Sequence, residues 1–178
     1  MRHEKLSLHC VPLVPFRPDL EGLGTEARTC YSLSMNEDKP KLIPEFKVTD
    51  FEKSLDFYTR ILGFNILYAR PEEQFAMLDR ENARLMIELL ESQDRWQIGE
   101  RKYPLGQGIN FQIQVSDVDA LHKSLKDNNY PIFFEMEEKW YRKDTTEVGN
   151  KQFLVQDPDG YLLRFFESLG SRPRQVTE

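Results

Sequence analysis

The sequence predicts an α+β domain made of two βαβββ modules, residues 41–91 and 108–169. Three observations predict it. An alternating stretch runs into Val48-Thr49-Asp50, and a second runs into Val115-Ser116-Asp117, 67 residues further on. After each, apolar residues fall at helical spacing, as in a helix with one buried face. The rest of each half breaks into short strand-like runs separated by turn residues, in the same order both times.

Leu42 to Val48 alternates and reads as the first strand. In Thr49-Asp50-Phe51-Glu52 the threonine is expected to cap a helix, with Glu52 reaching back as in a capping box. Phe51, Leu55, Tyr58 and Leu62 make the apolar face, and Gly63 is placed to end the helix in a left-handed conformation. Strands are expected at 64–69, 75–78 and 84–90, with a turn over Asp79 to Asn82. A polar connector covers 92–107. Its Gly106-Gln107-Gly108 is no dinucleotide motif, because it does not follow a strand and open a helix, and it reads as the hinge into the second module. Ile109 to Val115 is the next strand. Ser116-Asp117-Val118-Asp119 has the form of a second capping box, Val118, Leu121 and Leu125 give a helix face, and Asn128-Asn129 can close it, since Asn tolerates the left-handed region. Strands are expected at 131–135, 139–148, 152–156 and 161–167, and Asp157-Pro158-Asp159-Gly160 is a strong turn signal.

The chain has 178 residues, 39% of them hydrophobic, which suits one domain with a real core. Its net charge of −6 argues against a nucleic-acid partner. No apolar run approaches the roughly 18 residues that span a bilayer, and Leu6 to Phe16 is broken by His9, Pro12 and Pro15 with no cleavage site after it. The protein is expected to be cytoplasmic. Residues 1–40 hold no sustained period and are expected to be a disordered extension, or a mis-assigned leader with Met35 as the true start. Residues 170–178 are expected to be a C-terminal tail. Cys10 and Cys30 read as free thiols in the extension, because a cytoplasmic chain rarely keeps a disulfide.

Val-Thr-Asp-Phe-Glu-Lys-Ser-Leu-Asp-Phe-Tyr-Thr-Arg-Ile-Leu-Gly-Phe (48–64) resembles the first-module signature of the vicinal oxygen chelate superfamily, the glyoxalase, bleomycin resistance and dioxygenase group. Gln-Asp-Pro-Asp-Gly-Tyr-Leu-Leu-Arg-Phe-Phe-Glu (156–167) resembles its closing strand. With Val-Gly-Asn-Lys-Gln-Phe (148–153), the pattern is most similar to the bleomycin resistance branch. The resemblance covers 41–169. It implies curled mixed sheets forming a cup-shaped cleft, the glyoxalase/bleomycin resistance fold, in a homodimer. It also implies a function: a metal-independent binding protein that sequesters a bleomycin-like glycopeptide antibiotic in a dimer cleft, with no cofactor and no catalytic residue. The alternative is a small-molecule lyase, isomerase or dioxygenase-like enzyme, or a metabolite sensor, on the same fold. Pro44 implies that the first strand lies at an edge or that its amide is spared, and is compatible with the exchange of an N-terminal strand between protomers that the resemblance implies.

In the metalloenzymes that the chain resembles, four positions supply metal ligands. By spacing to the shared motifs they fall on Ile43, Glu88, Asn110 and Arg164. Ile43 has no donor atom, Asn110 is a poor replacement for His, and Arg164 brings a fixed positive charge. A catalytic site ordinarily needs three protein ligands. His122, the one histidine of the domain, reads as a plain helix residue. No metal is expected. Alternation puts Asn110, Gln112 and Gln114 on the cup side, with Ile109, Phe111, Ile113 and Val115 packed on helices. The same logic puts Glu45, Lys47, Met86, Glu88, Leu90, Leu162, Arg164 and Phe166 in the cup. The other reading of these polar residues is a solvated sheet face. Glu88 and Arg164, at equivalent places in the two modules, are expected to form an ion pair. Trp96, Tyr103, Trp140 and Tyr141 are candidates for stacking on a planar ligand. The acidic runs at Glu72-Glu73 and 135–138 either rim a cleft for a cation or form solvated surface. The expected ligand-binding set is Glu45, Glu88, Trp96, Asn110, Gln112, Trp140, Tyr141 and Arg164.

Overall fold

A computed structural model describes residues 40, 42–90 and 99–174. The extension with Cys10, Cys30 and Met35, and Trp96 in the connector, lie outside the described residues. Among the described residues, eight strands and two helices follow the expected order, with one strand fewer than expected in the second module. The first module is β1 (Glu45–Val48), α1 (Phe51–Asp56) continued by a π-helical turn (Phe57–Ile61), β2 (Asn65–Arg70), β3 (Phe75–Arg80) and β4 (Ala83–Leu89). The second is β5 (Asn110–Gln114), α2 (Val118–Asp127), β6 (Phe134–Lys143), β7 (Thr146–Gln156) and β8 (Leu162–Pro173). Each module makes one mixed sheet, in the orders β1-β4-β3-β2 and β5-β8-β7-β6. In both, the strand before the helix pairs in parallel with the last strand, and the other pairings are antiparallel. The two sheets are thus one topology written twice.

Alternation sets the two faces of each sheet. Phe46, Val48, Leu85 and Ile87 of the first sheet are buried, as are Ile113, Phe153, Val155, Leu163 and Phe165 of the second. They meet the apolar faces of both helices in one core. Ile109 departs from expectation: it lies before β5 begins and is 56% exposed, so it does not pack on a helix.

Local chemistry differs from expectation at both helix starts. The caps are Asp50 and Asp117, one residue later than Thr49 and Ser116. Asp50 Oδ1 accepts from the Lys53 amide at 3.0 Å and Asp117 Oδ1 from the Ala120 amide at 2.8 Å. Gly63 does end the first helix with φ +69, and Asn129 ends the second with φ +52. The caps are 67 residues apart and these ends 66, because the π turn of the first helix carries one extra residue. Gly63 is also needed for space: a Cβ there would come within 2.6 Å of Arg80 Nη1, whose guanidinium donates to the Leu62 carbonyl.

The second module has two long strands where three were expected over 131–156. They are joined at Asp144-Thr145, with Asp144 at φ +53 and Lys143 opposite Thr146. An aspartate that accepts the left-handed region makes this turn without glycine. Likewise β8 runs on to Pro173, into what the sequence assigned to the tail, because β7 pairs with it along its whole length.

Each module braces the helix start of the other. Asp159, in the turn between β7 and β8, accepts from the Thr49 amide at 3.0 Å, the Thr49 hydroxyl at 2.6 Å and the Ser54 hydroxyl at 3.2 Å. Glu81, in the turn between β3 and β4, accepts from the Ser116 amide at 2.7 Å. Thr49 and Ser116 correspond in the repeat, so the brace is made twice with different chemistry. Asp157 adds to the first: it takes the Tyr58 hydroxyl at 2.9 Å and the amides of Asp159 and Tyr161. Burial pushes its carboxyl up to about 6, against those hydrogen bonds, which act to lower it. Tyr58, fully buried beside it, is raised well above the ordinary phenol range, by burial first and by the Asp157 charge second.

Candidate functional site in the cup

The face of the first sheet turned away from the helices carries charge. On the adjacent parallel strands β1 and β4, Lys47 lies opposite Glu88 and Glu45 opposite Met86. The Lys47 ammonium donates to Glu88 and lies 3.2 Å from Glu45, so one cation sits among two carboxylates. All three are partly buried, with side-chain exposures of 17% for Lys47, 28% for Glu45 and 26% for Glu88. Next to them Phe75 lies opposite Glu88 on β3, with the Arg70 guanidinium 3.7 Å from its ring centre and Tyr68 at 5.9 Å.

The corresponding face of the second sheet is built from amides. One row across the strands is Gln112, Arg164 and Leu154, and the next is Gln114, Phe166, Gln152 and Glu137. Arg164 Nη2 donates to Gln112 Oε1. Gln152, only 2% exposed, donates from Nε2 to Glu137 Oε1 at 2.8 Å and to the Tyr141 hydroxyl at 2.6 Å. Two polar atoms of this face are buried without a hydrogen-bond partner, Gln152 Oε1 and Arg164 Nε.

The ion pair expected between Glu88 and Arg164 is replaced by two in-register contacts, Lys47 with Glu88 and Gln112 with Arg164. The expected equivalence of the two residues also shifts. Glu45 and Gln112 correspond in the repeat; Glu45 stands beside Met86 and Gln112 beside Arg164. The first-module match for Arg164 is therefore Met86, and Glu88 matches Phe166. A slip of two residues keeps every side chain on its own face, so periodicity cannot detect it. Asn110 is exposed, opposite Leu162. Trp140 stands opposite Gly149, on the face of β7 that carries Lys151 and Phe153, where α2 packs through Asp119 and His122. It therefore points away from the cup, its ring carries the Arg172 guanidinium at 3.9 Å, and a Cβ on Gly149 would meet that ring at 2.8 Å. Tyr141, one residue on, takes the cup side. His122 is the helix residue it was expected to be, with Nε2 3.1 Å from Glu135. Lys47, Gln152 and Glu137 lie outside the expected ligand-binding set, although alternation already puts Lys47 in the cup, the acidic run 135–138 contains Glu137, and the alternation of Gln152 with Phe153 in β7 carries a signal for the third.

The side chains present do not fit a divalent metal. Of Ile43, Met86, Asn110 and Arg164 none is a carboxylate or imidazole, and an ammonium already holds Glu88. Among the described residues no group of three or more His, Cys, Asp or Glu converges. What the arrangement offers is a surface of hydrogen-bond donors and acceptors with aromatic rings beside it, suited to holding a polar organic molecule.

Comparison with known proteins places this architecture. Residues 45–165 match the model of the Glyoxalase/Bleomycin resistance protein/Dioxygenase superfamily. The chain belongs to that superfamily. A probable lactoylglutathione lyase of Synechocystis is 29% identical over 68% of this chain and 90% of its own. A bleomycin resistance protein of Geobacillus stearothermophilus is also 29% identical, over 72% and 97%. Among solved structures, TioX from Micromonospora sp. ML1 covers 72% of this chain and 98% of its own, with 22% identity and a TM-score of 0.55. A glyoxalase/bleomycin resistance protein/dioxygenase from Alicyclobacillus acidocaldarius covers 72% and 90%, with 24% identity and a TM-score of 0.50. These two structures support the fold alone. Superfamily membership thus agrees with the paired sheets, while relatives named as a bleomycin resistance protein and as a lactoylglutathione lyase are equally similar, at 29% identity.

Proposed function

We propose that this protein binds a small molecule in the cup without metal chemistry, and that as a cytoplasmic homodimer it sequesters a bleomycin-like glycopeptide antibiotic. The observation that supports this reading is Lys47: its ammonium is bound to Glu88 and Glu45, so the two carboxylates of this face are engaged by a cation of the chain itself. Tyr141 and Tyr68 supply aromatic surface for a planar tail, and Glu137 supplies a carboxylate for a cationic end. Asn110, Gln112 and Arg164 supply the polar contacts of the second sheet, with Glu45 and Glu88 held by Lys47. Calorimetric titration of bleomycin into the full chain, treated with chelator, tests it. Saturable heat with a Kd of the order of 1 μM or tighter and one ligand per protomer is expected. A flat titration at several temperatures, with the protein folded, would overturn the sequestration reading. The lyase relative suggests a second reading, which predicts lactoylglutathione lyase activity on addition of a divalent metal; the arrangement around Lys47 predicts none.

A further inference from the structure

We infer that the second sheet holds a subsite for a neutral carboxamide, with the ligand carbonyl on Arg164 Nε and the ligand N–H on Gln152 Oε1. The inference rests on the reading that the cup is the ligand site. Its basis is the pair of buried atoms that the protein leaves without partners. Buried polar groups are nearly always satisfied, so two on one face of one sheet call for an occupant. Arg164 and Gln152 lie on adjacent strands in successive rows, diagonal to one another. Side chains so placed start roughly 7–8 Å apart, and both atoms are covered in the unliganded protein, so a small planar group reaches them when the side chains over them move aside.

The chemistry of the two atoms selects the group. Arg164 Nε is only a donor and Gln152 Oε1 is only an acceptor. Gln152 cannot turn its amide round to reverse this, because both protons of its Nε2 are committed to Glu137 and Tyr141. A carboxylate ligand would satisfy Arg164, but it has no proton for Gln152 and would approach Glu137. An ammonium would satisfy Gln152 but meet Arg164. A carboxamide presents one acceptor and one donor with no charge and satisfies both. Tyr141, on the edge strand β6, lies beside the site through its bond to Gln152, and its displacement would open the way in while Glu137 still fixes the orientation of the amide.

Side-chain 15N–1H NMR of the full chain tests this, with propionamide as probe and propionate and propylamine as controls. Propionamide is expected to move the Arg164 Nε–H and Gln152 side-chain amide signals saturably, with a Kd of the order of 1–10 mM. Propionate and propylamine should leave them at least tenfold less sensitive. Gln152→Met and Arg164→Lys, each confirmed folded by its thermal melt, should abolish the saturable shift. Equal response to all three probes, or no response because a water molecule alone fills the gap, overturns the subsite. The wild-type titration gives that answer even if a variant does not fold. Bleomycin titrated into the same variants separates this proposal from the previous one. If propionamide gives no saturable shift while bleomycin binds both variants with unchanged affinity, the subsite falls and sequestration stands; if propionamide binds and bleomycin does not, sequestration falls and the subsite stands.

Discussion

The two modules share a topology and differ in how they spend polar groups. In the first, the face away from the helices is held by charge, Lys47 between Glu45 and Glu88. In the second, the same rows carry Gln112, Gln114 and Gln152 around Arg164, with two buried atoms left unpaired. The braces between modules show the opposite division. Asp159 reaches the first helix start in a buried setting with three hydrogen bonds, whereas Glu81 reaches the second with one, at the surface. A repeat therefore conserves the backbone solution and leaves each copy free to place its polar groups for stability or for binding. The first cup face is satisfied internally; the second retains unmet hydrogen-bonding capacity.

The sharpest way to break this comparison is to cut both braces. Asp159→Ala removes the acceptor of three donors, the buried Ser54 hydroxyl and the partly buried amide and hydroxyl of Thr49. It is expected to cost about 3–4 kcal/mol by urea denaturation, while Glu81→Ala, with water at hand for Ser116, should cost less than about 1 kcal/mol. Equal losses would mean that burial does not distinguish the two.

Next in size is the pH response of the first brace. The Asp157 carboxyl titrates at about 6 when folded, against an ordinary value of 3.8. The protonated form is thus favoured in the folded state. Its contribution is fully present below the unfolded value and is lost as pH rises through about 6. Relative to Asp157→Asn, the wild type should gain on the order of 2–3 kcal/mol on going from neutral pH to about pH 4. Urea midpoints of the two proteins against pH check this, and parallel curves would count against it.

The smallest effect compares the cup faces directly. Lys47→Met leaves Glu45 and Glu88 without their shared cation and should cost about 1–2 kcal/mol, much of it recovered when Glu88→Gln is added. Arg164→Met removes a buried unpaired Nε and a bond to a neutral amide, so its stability should change by less than about 1 kcal/mol. A larger loss from Arg164 than from Lys47 would reverse the assignment of roles.

Much of the fold was legible. The repeat, the two helices and the core alternation of Phe46, Val48, Leu85 and Ile87 follow from local periodicity. So does the helix end at Gly63, where only a left-handed residue serves. The caps were misplaced by one residue because Thr49 has a better use for its hydroxyl: a carboxylate 110 positions away, which no local pattern reveals. The turn at Asp144-Thr145 was missed because an aspartate there looks like any polar strand residue. Of the site, alternation puts Glu45, Lys47, Gln112 and Arg164 on the correct face, whereas of the two stacking candidates Tyr141 and Trp140 only Tyr141 takes the cup side.

By itself the sequence determined the order of elements, which side chains face inward, and the absence of metal-donor chemistry at Ile43, Asn110 and Arg164, since these depend on residue type and on periods of two and 3.6. Only the tertiary structure decided which neighbour each polar side chain meets: Lys47 for Glu88, Gln112 for Arg164, Thr49 for Asp159. The physical reason is that strand pairing can slide by two residues without changing any face, so register is set by packing across the whole sheet and not by the local chain.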